Sequence, residues 1–99
     1  MTDSTDITIE REGNDSSGAY VIKLSGVERR AELTWVARDG VRHANHTFVP
    51  DEMRGKGIAA KLVDALIADA REQGFTISPD CSYVAGAFRR NPDWSDLRA

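Results

Sequence analysis

The stretch Val49–Ala60 reads V-P-D-E-M-R-G-K-G-I-A-A, and it gathers groups suited to one kind of ligand. Arg54 and Lys56 alternate with Gly55 and Gly57, Lys61 follows closely, and a strongly amphipathic run begins at Ile58 without a good side-chain cap. The first turn of a helix presents unpaired backbone N–H groups and a partial positive charge. Glycine lets a ligand approach that backbone closely. Together these features make an anion site, and phosphate is the usual anion at such a place. The competing reading is a loop that uses flexible residues only to enter a helix. Two nucleotide motifs fail on detail. No Gly-Lys-Ser/Thr is present, so this is not a P-loop, and Gly55-Lys56-Gly57 lacks the third glycine of the dinucleotide fingerprint.

The elements that must position this loop follow from the pattern. Ile7–Glu12, Ala19–Leu24, Ala31–Ala37 and Val41–Val49 alternate as strands. Asn14–Gly18 is a turn cluster, Gly26 marks a turn region, and Arg38-Asp39-Gly40 is a tight hairpin signal. Such short connections favour an antiparallel meander, because parallel strands need long crossovers. The period then changes. Ile58, Leu62, Val63, Leu66, Ile67 and Ala70 fall at helical spacing, with Lys61, Asp64, Asp69 and Glu72 on the other face, and Gly74 closes a helix over 58–73. Phe75–Ser78 reads as a short buried strand ended by Pro79, and Ser82–Arg90 as a second helix stopped at Asn91-Pro92. Trp94 and Leu97 are expected to fold back onto the body. The order β-β-β-β-α-β-α is an α+β or mixed-sheet domain.

Arg54-Gly55-Lys56-Gly57-Ile58-Ala59 has the form Arg-x-x-Gly-x-Ala at a strand-to-helix junction. It resembles the acyl-CoA pyrophosphate loop of the GNAT superfamily of N-acyltransferases. The likeness extends through His46-Thr47-Phe48-Val49, the Leu62-Val63 helix, Gly74 and Pro79-Asp80-Cys81-Ser82-Tyr83-Val84, the last two-thirds of the chain. That ordered combination is similar to the small, single-domain GNAT-like N-acetyltransferases and is far more specific than the loop alone.

The resemblance implies a reduced GNAT-like fold over residues 1–99, with acetyl-CoA or coenzyme A as ligand. It places the pantetheine arm along the edge of the fourth strand, at Thr47, Phe48 and Val49, where amides of the arm pair like an added strand. The pyrophosphate falls on the amides of Gly55, Lys56, Gly57, Ile58, Ala59 and Ala60, with Arg54 in the family's Arg/Gln position. Lys56 and Lys61 are either electrostatic helpers or solvated surface. Tyr83 stands where many relatives carry the tyrosine that protonates the departing thiolate; the alternative is core packing with a bonded hydroxyl. Cys81 matches a cysteine of the small-family pattern and precedes a helix start, which stabilises a thiolate. It is a candidate for a covalent acyl-cysteine or else a buried small hydrophobe. His46 is a candidate base for an incoming amine or for Cys81, since imidazole titrates near neutrality. In a regular strand it shares a face with Ala44 and Phe48, and His43 lies on the other face; a bulge would break that register. Arg89 and Arg90 either approach the adenosine phosphate of CoA or cap the helix C-terminus.

Composition bounds the partners. The chain has 99 residues, one cysteine, 40% hydrophobic and 29% charged residues, and a formal net charge of -3. One domain is expected, without an internal disulfide. Residues 1–18 carry five acids against one base, so the remainder is slightly basic. A local anionic ligand fits this distribution and a long polyanion does not. The two histidines and one cysteine do not form a zinc set. No apolar run reaches transmembrane length and MTDSTD lacks a signal-peptide core, so no membrane partner and a cytoplasmic location are expected. Residues 1–5 are expected to be disordered. An open sheet edge allows a monomer or a weak homodimer.

The departures from a full GNAT domain matter as well. The family has helices between its first two strands and strands after its last helix, which shape the acceptor site; a short turn joins the first strands here, and a reduced acceptor half is expected. Acyl transfer to an amine or thiol is therefore weighed against a non-catalytic acyl-CoA binding or sensing module.

Overall fold

The computed structural model describes residues 7–99, so the expectation of disorder over 1–5 lies outside the described residues. Five strands form one sheet in sequence order: β1 (Ile9–Gly13), β2 (Ser17–Ile22), β3 (Ala31–Arg38), β4 (Val41–Phe48) and β5 (Thr76–Pro79). The first four are antiparallel neighbours, as short turns require. The β1–β2 turn is held by Asn14, whose Oδ1 accepts the N–H groups of Ser16 and Ser17 at 2.8 and 3.2 Å. β5 runs parallel to β4 and is reached through helix α1 (Ile58–Gln73), so the sheet is mixed. Helix α2 (Ser82–Arg90) and a 3-10 segment (Pro92–Leu97) complete the chain.

One core joins the layers. Tyr20, Ile22, Leu33 and Trp35 from the sheet meet Leu62, Leu66 and Ala70 of α1 and Val84 and Phe88 of α2. Helix α1 ends as its sequence dictates: Gly74 takes a left-handed conformation and donates its N–H to the Ala70 carbonyl at 2.9 Å. The C-terminal fold-back also holds. Leu97 is buried, Trp94 meets Phe88 edge to face at 5.6 Å, and the Ala99 N–H bonds the Ile77 carbonyl at 2.8 Å.

Asp69 departs from the expectation of a solvent-facing position, because it is buried. Its carboxylate accepts two bonds from Arg11, at 2.9 and 3.1 Å, and one from the Tyr20 hydroxyl at 2.8 Å. A charge is tolerated there only because it is paired and bonded.

A second departure is a β-bulge. Trp35 faces Ala44 but Thr34 faces His46, so Asn45 is an extra residue in β4. Its Oδ1 accepts the Thr34 hydroxyl. The expected pairing of His46 with the face of Ala44 is therefore overturned. His46 and Phe48 now share the outer face with His43, while Thr47 turns inward opposite Leu33.

Candidate functional site

The site is built where β4 and β5 part. They pair only over Val41–Ala44 and Thr76–Pro79. The Ala44 carbonyl then accepts the N–H groups of both Asp80 and Cys81, each at 3.0 Å, and the chain turns away into α2. Asn45–Phe48 continue without a strand on that side, which leaves an open backbone edge beside Cys81.

Below this edge the loop enters α1. Pro50 and Met53 are fully buried and anchor a 3-10 turn at Asp51–Met53; the expectation of plain loop here carries no sign of the Met53 anchor. Gly57 is the N-cap of α1, with φ 70°, and no side chain caps the helix. The first helical bond runs from the Lys61 N–H to the Gly57 carbonyl at 3.1 Å, so the amides of Ile58, Ala59 and Ala60 lack a helical partner. A Cβ at Gly55 or Gly57 would meet nothing within 4 Å, so the approach to these amides is open. An anion fits this cradle.

A groove of about 200 Å³ runs over the loop, and its walls include Val49, Arg54, Gly55, Gly57, Ala60 and Tyr83. The residues expected to hold the pyrophosphate thus meet the tyrosine expected near the thioester. Ile58 and Ala59 also line the groove, whereas Lys56 and Lys61 are exposed on its flank. Arg54 bonds Asp51 at 3.2 Å, both largely exposed, and such a pair is weak enough to exchange for a ligand.

Cys81 is a free, half-buried cysteine at the N-cap of α2, and its Sγ lies 3.3 Å from Thr47 Oγ1. The inward turn of Thr47 that creates this contact is a product of the bulge. Tyr83 is 36% exposed in the first turn of α2, so the alternative of core packing does not describe it.

The structure does not join His46 to these groups. It is exposed, and it lies on the opposite face of β4 from Thr47. The histidine fixed by a carboxylate is His43, whose Nδ1 is 3.2 Å from Asp80 Oδ2. Asp80 also accepts the Ser78 hydroxyl at 2.5 Å. That bond first, then His43 and the more distant Arg38, hold the Asp80 carboxyl below the usual carboxylate range. No local sequence signal marked this pair, because its members lie 37 residues apart. Among the described residues, no three His, Cys, Asp or Glu side chains gather as a metal site, and no helix is long and apolar enough to cross a membrane.

A mixed sheet splayed at its last two strands, with an uncapped helix entrance beside the splay, defines an acyltransferase-type scaffold. A model of the GCN5-related N-acetyl-transferase family matches residues 19–97, and the chain belongs to that family. It is also 30% identical over 74 residues to Protein NATD1 of Bos taurus, a match covering 74% of this chain and 66% of that protein. The chain therefore spans just under two thirds of that relative's length.

Proposed function

We propose that the chain binds acetyl-CoA across the splay and transfers the acetyl group to an amine or thiol acceptor, with Cys81 as an intermediate carrier. The observation that carries this reading is the convergence of the uncapped amides of Ile58–Ala60, the open edge of β4, and Cys81 beside Thr47. The amides and Arg54 suit a pyrophosphate. The backbone of Thr47–Val49 suits the amide-bearing arm, in the manner of β-strand addition.

In this reading Cys81 Sγ, as thiolate, attacks the acetyl carbonyl carbon. The carbon–sulfur bond to CoA breaks, and the departing sulfur takes a proton from the Tyr83 hydroxyl. The acceptor then attacks the acyl-cysteine, Cys81 leaves as thiolate, and the acceptor's proton passes to an imidazole on the outer face, which releases it to solvent as the Tyr83 phenolate takes one up. His46, a candidate base by its residue type, is exposed on that face. His43 offers a second imidazole on the same face, with Nδ1 held toward Asp80 so that Nε2 is free to accept.

A titration with CoA and acetyl-CoA followed by amide-resolved NMR tests the binding. Saturable shifts are expected at Thr47–Val49, Gly55–Ala60 and Cys81–Tyr83, and their absence at millimolar ligand refutes the reading. Intact-mass measurement after incubation with acetyl-CoA tests the carrier. One acetyl group is expected on the native protein and none on Cys81→Ser; undiminished turnover in that variant excludes the covalent route.

One observation favours a second reading, a non-catalytic acyl-CoA binding or sensing module. β1 and β2 are joined by a tight turn, so no helix between them roofs the outer face of the sheet. That module would bind CoA without turnover over a broad amine panel. A reproducible rate of CoA release with a defined acceptor decides against it.

A further inference from the structure

The last turn of α2 carries two arginines, a placement the helix dipole favours but whose side-chain arrangement neither the core nor capping explains. Arg89 and Arg90 do not cap α2. Its C-terminus is closed by Asn91, whose Nδ2 donates to the Ala87 carbonyl at 2.8 Å and whose backbone N–H reaches the Phe88 carbonyl at 3.2 Å. Both arginine side chains instead fold back along the helix over Gly86. A Cβ at Gly86 would lie 3.2 Å from Arg90 Nη1 and 3.5 Å from Arg89 Nη2, so the two cationic ends lie side by side. Neither makes a salt bridge among the described residues. Two like charges held together without a carboxylate partner form a fork for a doubly charged oxyanion, and guanidinium groups match phosphate geometry.

Through Arg90 the fork borders the groove region already described. Arg90 stands over the Tyr83 ring, 5.9 Å from its centroid. A second groove, of about 160 Å³, is lined by Ala60, Tyr83, Arg90, Asn91, Trp94 and the carboxylate of Asp64. Ala60 and Tyr83 border both grooves, so the two run together from the amides of the α1 entrance to Arg90. The Trp94 ring supplies a flat apolar wall suited to stacking a purine.

From this we infer that Arg89 and Arg90 form a phosphomonoester site that takes the ribose 3′-phosphate of coenzyme A, and so discriminates CoA from its dephosphorylated form. The inference rests on the acyl-CoA reading above and adds residues that the family match does not assign.

Calorimetric titration with CoA and with dephospho-CoA separates the two claims. The native protein is expected to bind CoA about tenfold more tightly, the worth of one or two charge-assisted hydrogen bonds. In Arg89→Gln/Arg90→Gln the ratio is expected to fall to about one, through weaker CoA binding at unchanged dephospho-CoA affinity. Arg89→Lys/Arg90→Lys keeps the charge and should restore part of the preference, which a merely structural role would not do. Equal affinities in the native protein, or a ratio that survives the glutamine variant, overturn the site while leaving the acyl-CoA reading intact. Failure of the native protein to bind either ligand overturns both.

Discussion

Replacing Gly57 by aspartate is expected to weaken CoA binding by about a hundredfold, because two or more charge-assisted bonds to phosphate are lost. The aspartate carboxylate would stand at the α1 entrance and occupy the same amides of Ile58, Ala59 and Ala60 that a pyrophosphate needs. It would also repel the ligand's own charge. Stability should change far less. The left-handed conformation at Gly57, φ 70° and ψ 21°, costs about 1 kcal/mol for most other residues. Aspartate tolerates it better than most, and its charge is favourable at the positive end of the helix. A Cβ at this position meets nothing within 4 Å, so no clash is added. Calorimetric titration paired with a thermal melt checks the prediction, with Gly57→Ala as the uncharged control. Equal CoA affinity in a folded aspartate variant would remove the phosphate from this loop.

Removing Asp69 should produce the largest loss of stability. Asp69→Ala is expected to cost about 3 kcal/mol, since it strands buried hydrogen-bonding groups as well as deleting bonds. The Tyr20 hydroxyl loses its acceptor inside the core, while Arg42 still donates to that hydroxyl at 2.9 Å. Arg42 has little freedom to adjust, being stacked between the rings of Trp35 and Phe75 at 3.8 and 4.1 Å. Arg11 is half exposed and is readily rehydrated. In a domain of this size the loss corresponds to a fall in Tm of roughly 15 °C.

The pH dependence has a definite sign. Burial pushes the Asp69 carboxyl up, but hydrogen bonds from Arg11 and Tyr20 and the charges of Arg11 and Arg42 outweigh it, holding the group below its ordinary range. A depressed carboxylate stabilises the fold fully above its unfolded value of about 4, and the contribution is lost as pH falls through the folded value. Urea titrations at neutral and strongly acid pH should therefore show the gap between native protein and Asp69→Ala narrowing in acid. A gap that stays constant would assign the loss to the cavity rather than to the charge.

The parts legible from residue order are those with local causes. The strand and helix spans, the Gly74 stop and the uncapped entrance at Gly57 each depend on neighbours a few residues away. The loop's fitness for an anion has the same origin, because it rests on glycines, cations and a helix start in one segment. The misplacement of Asp69 has the opposite origin. It sits beside an apolar stripe, and only Arg11, 58 residues earlier, makes its burial tolerable. Met53 gave no periodic signal because it is a single anchor in an irregular segment. The bulge left no glycine or proline as a marker; Asn45 is unremarkable until Thr34 is placed across from it. The face of His46 and the pairing of His43 with Asp80 depended on that unseen insertion and on the distant return of β5.

The extra residue at Asn45 makes β4 a strand with two phases. Before it, even-numbered positions look inward; after it, odd-numbered ones do. Smoothing the bulge with Asn45 still paired in the strand would rotate Thr47 to the outside and Phe48 to the inside, parting Thr47 from Cys81 and driving an aromatic ring toward the gap, whereas deleting Asn45 would leave both on their present faces. The β3–β4 turn at Asp39-Gly40 lies upstream on the solvent side and carries no such constraint. Over this stretch the chemistry is set by counting, and the contact of Thr47 with Cys81 should survive loss of residue 45 far better than pairing of residue 45 into a regular ladder.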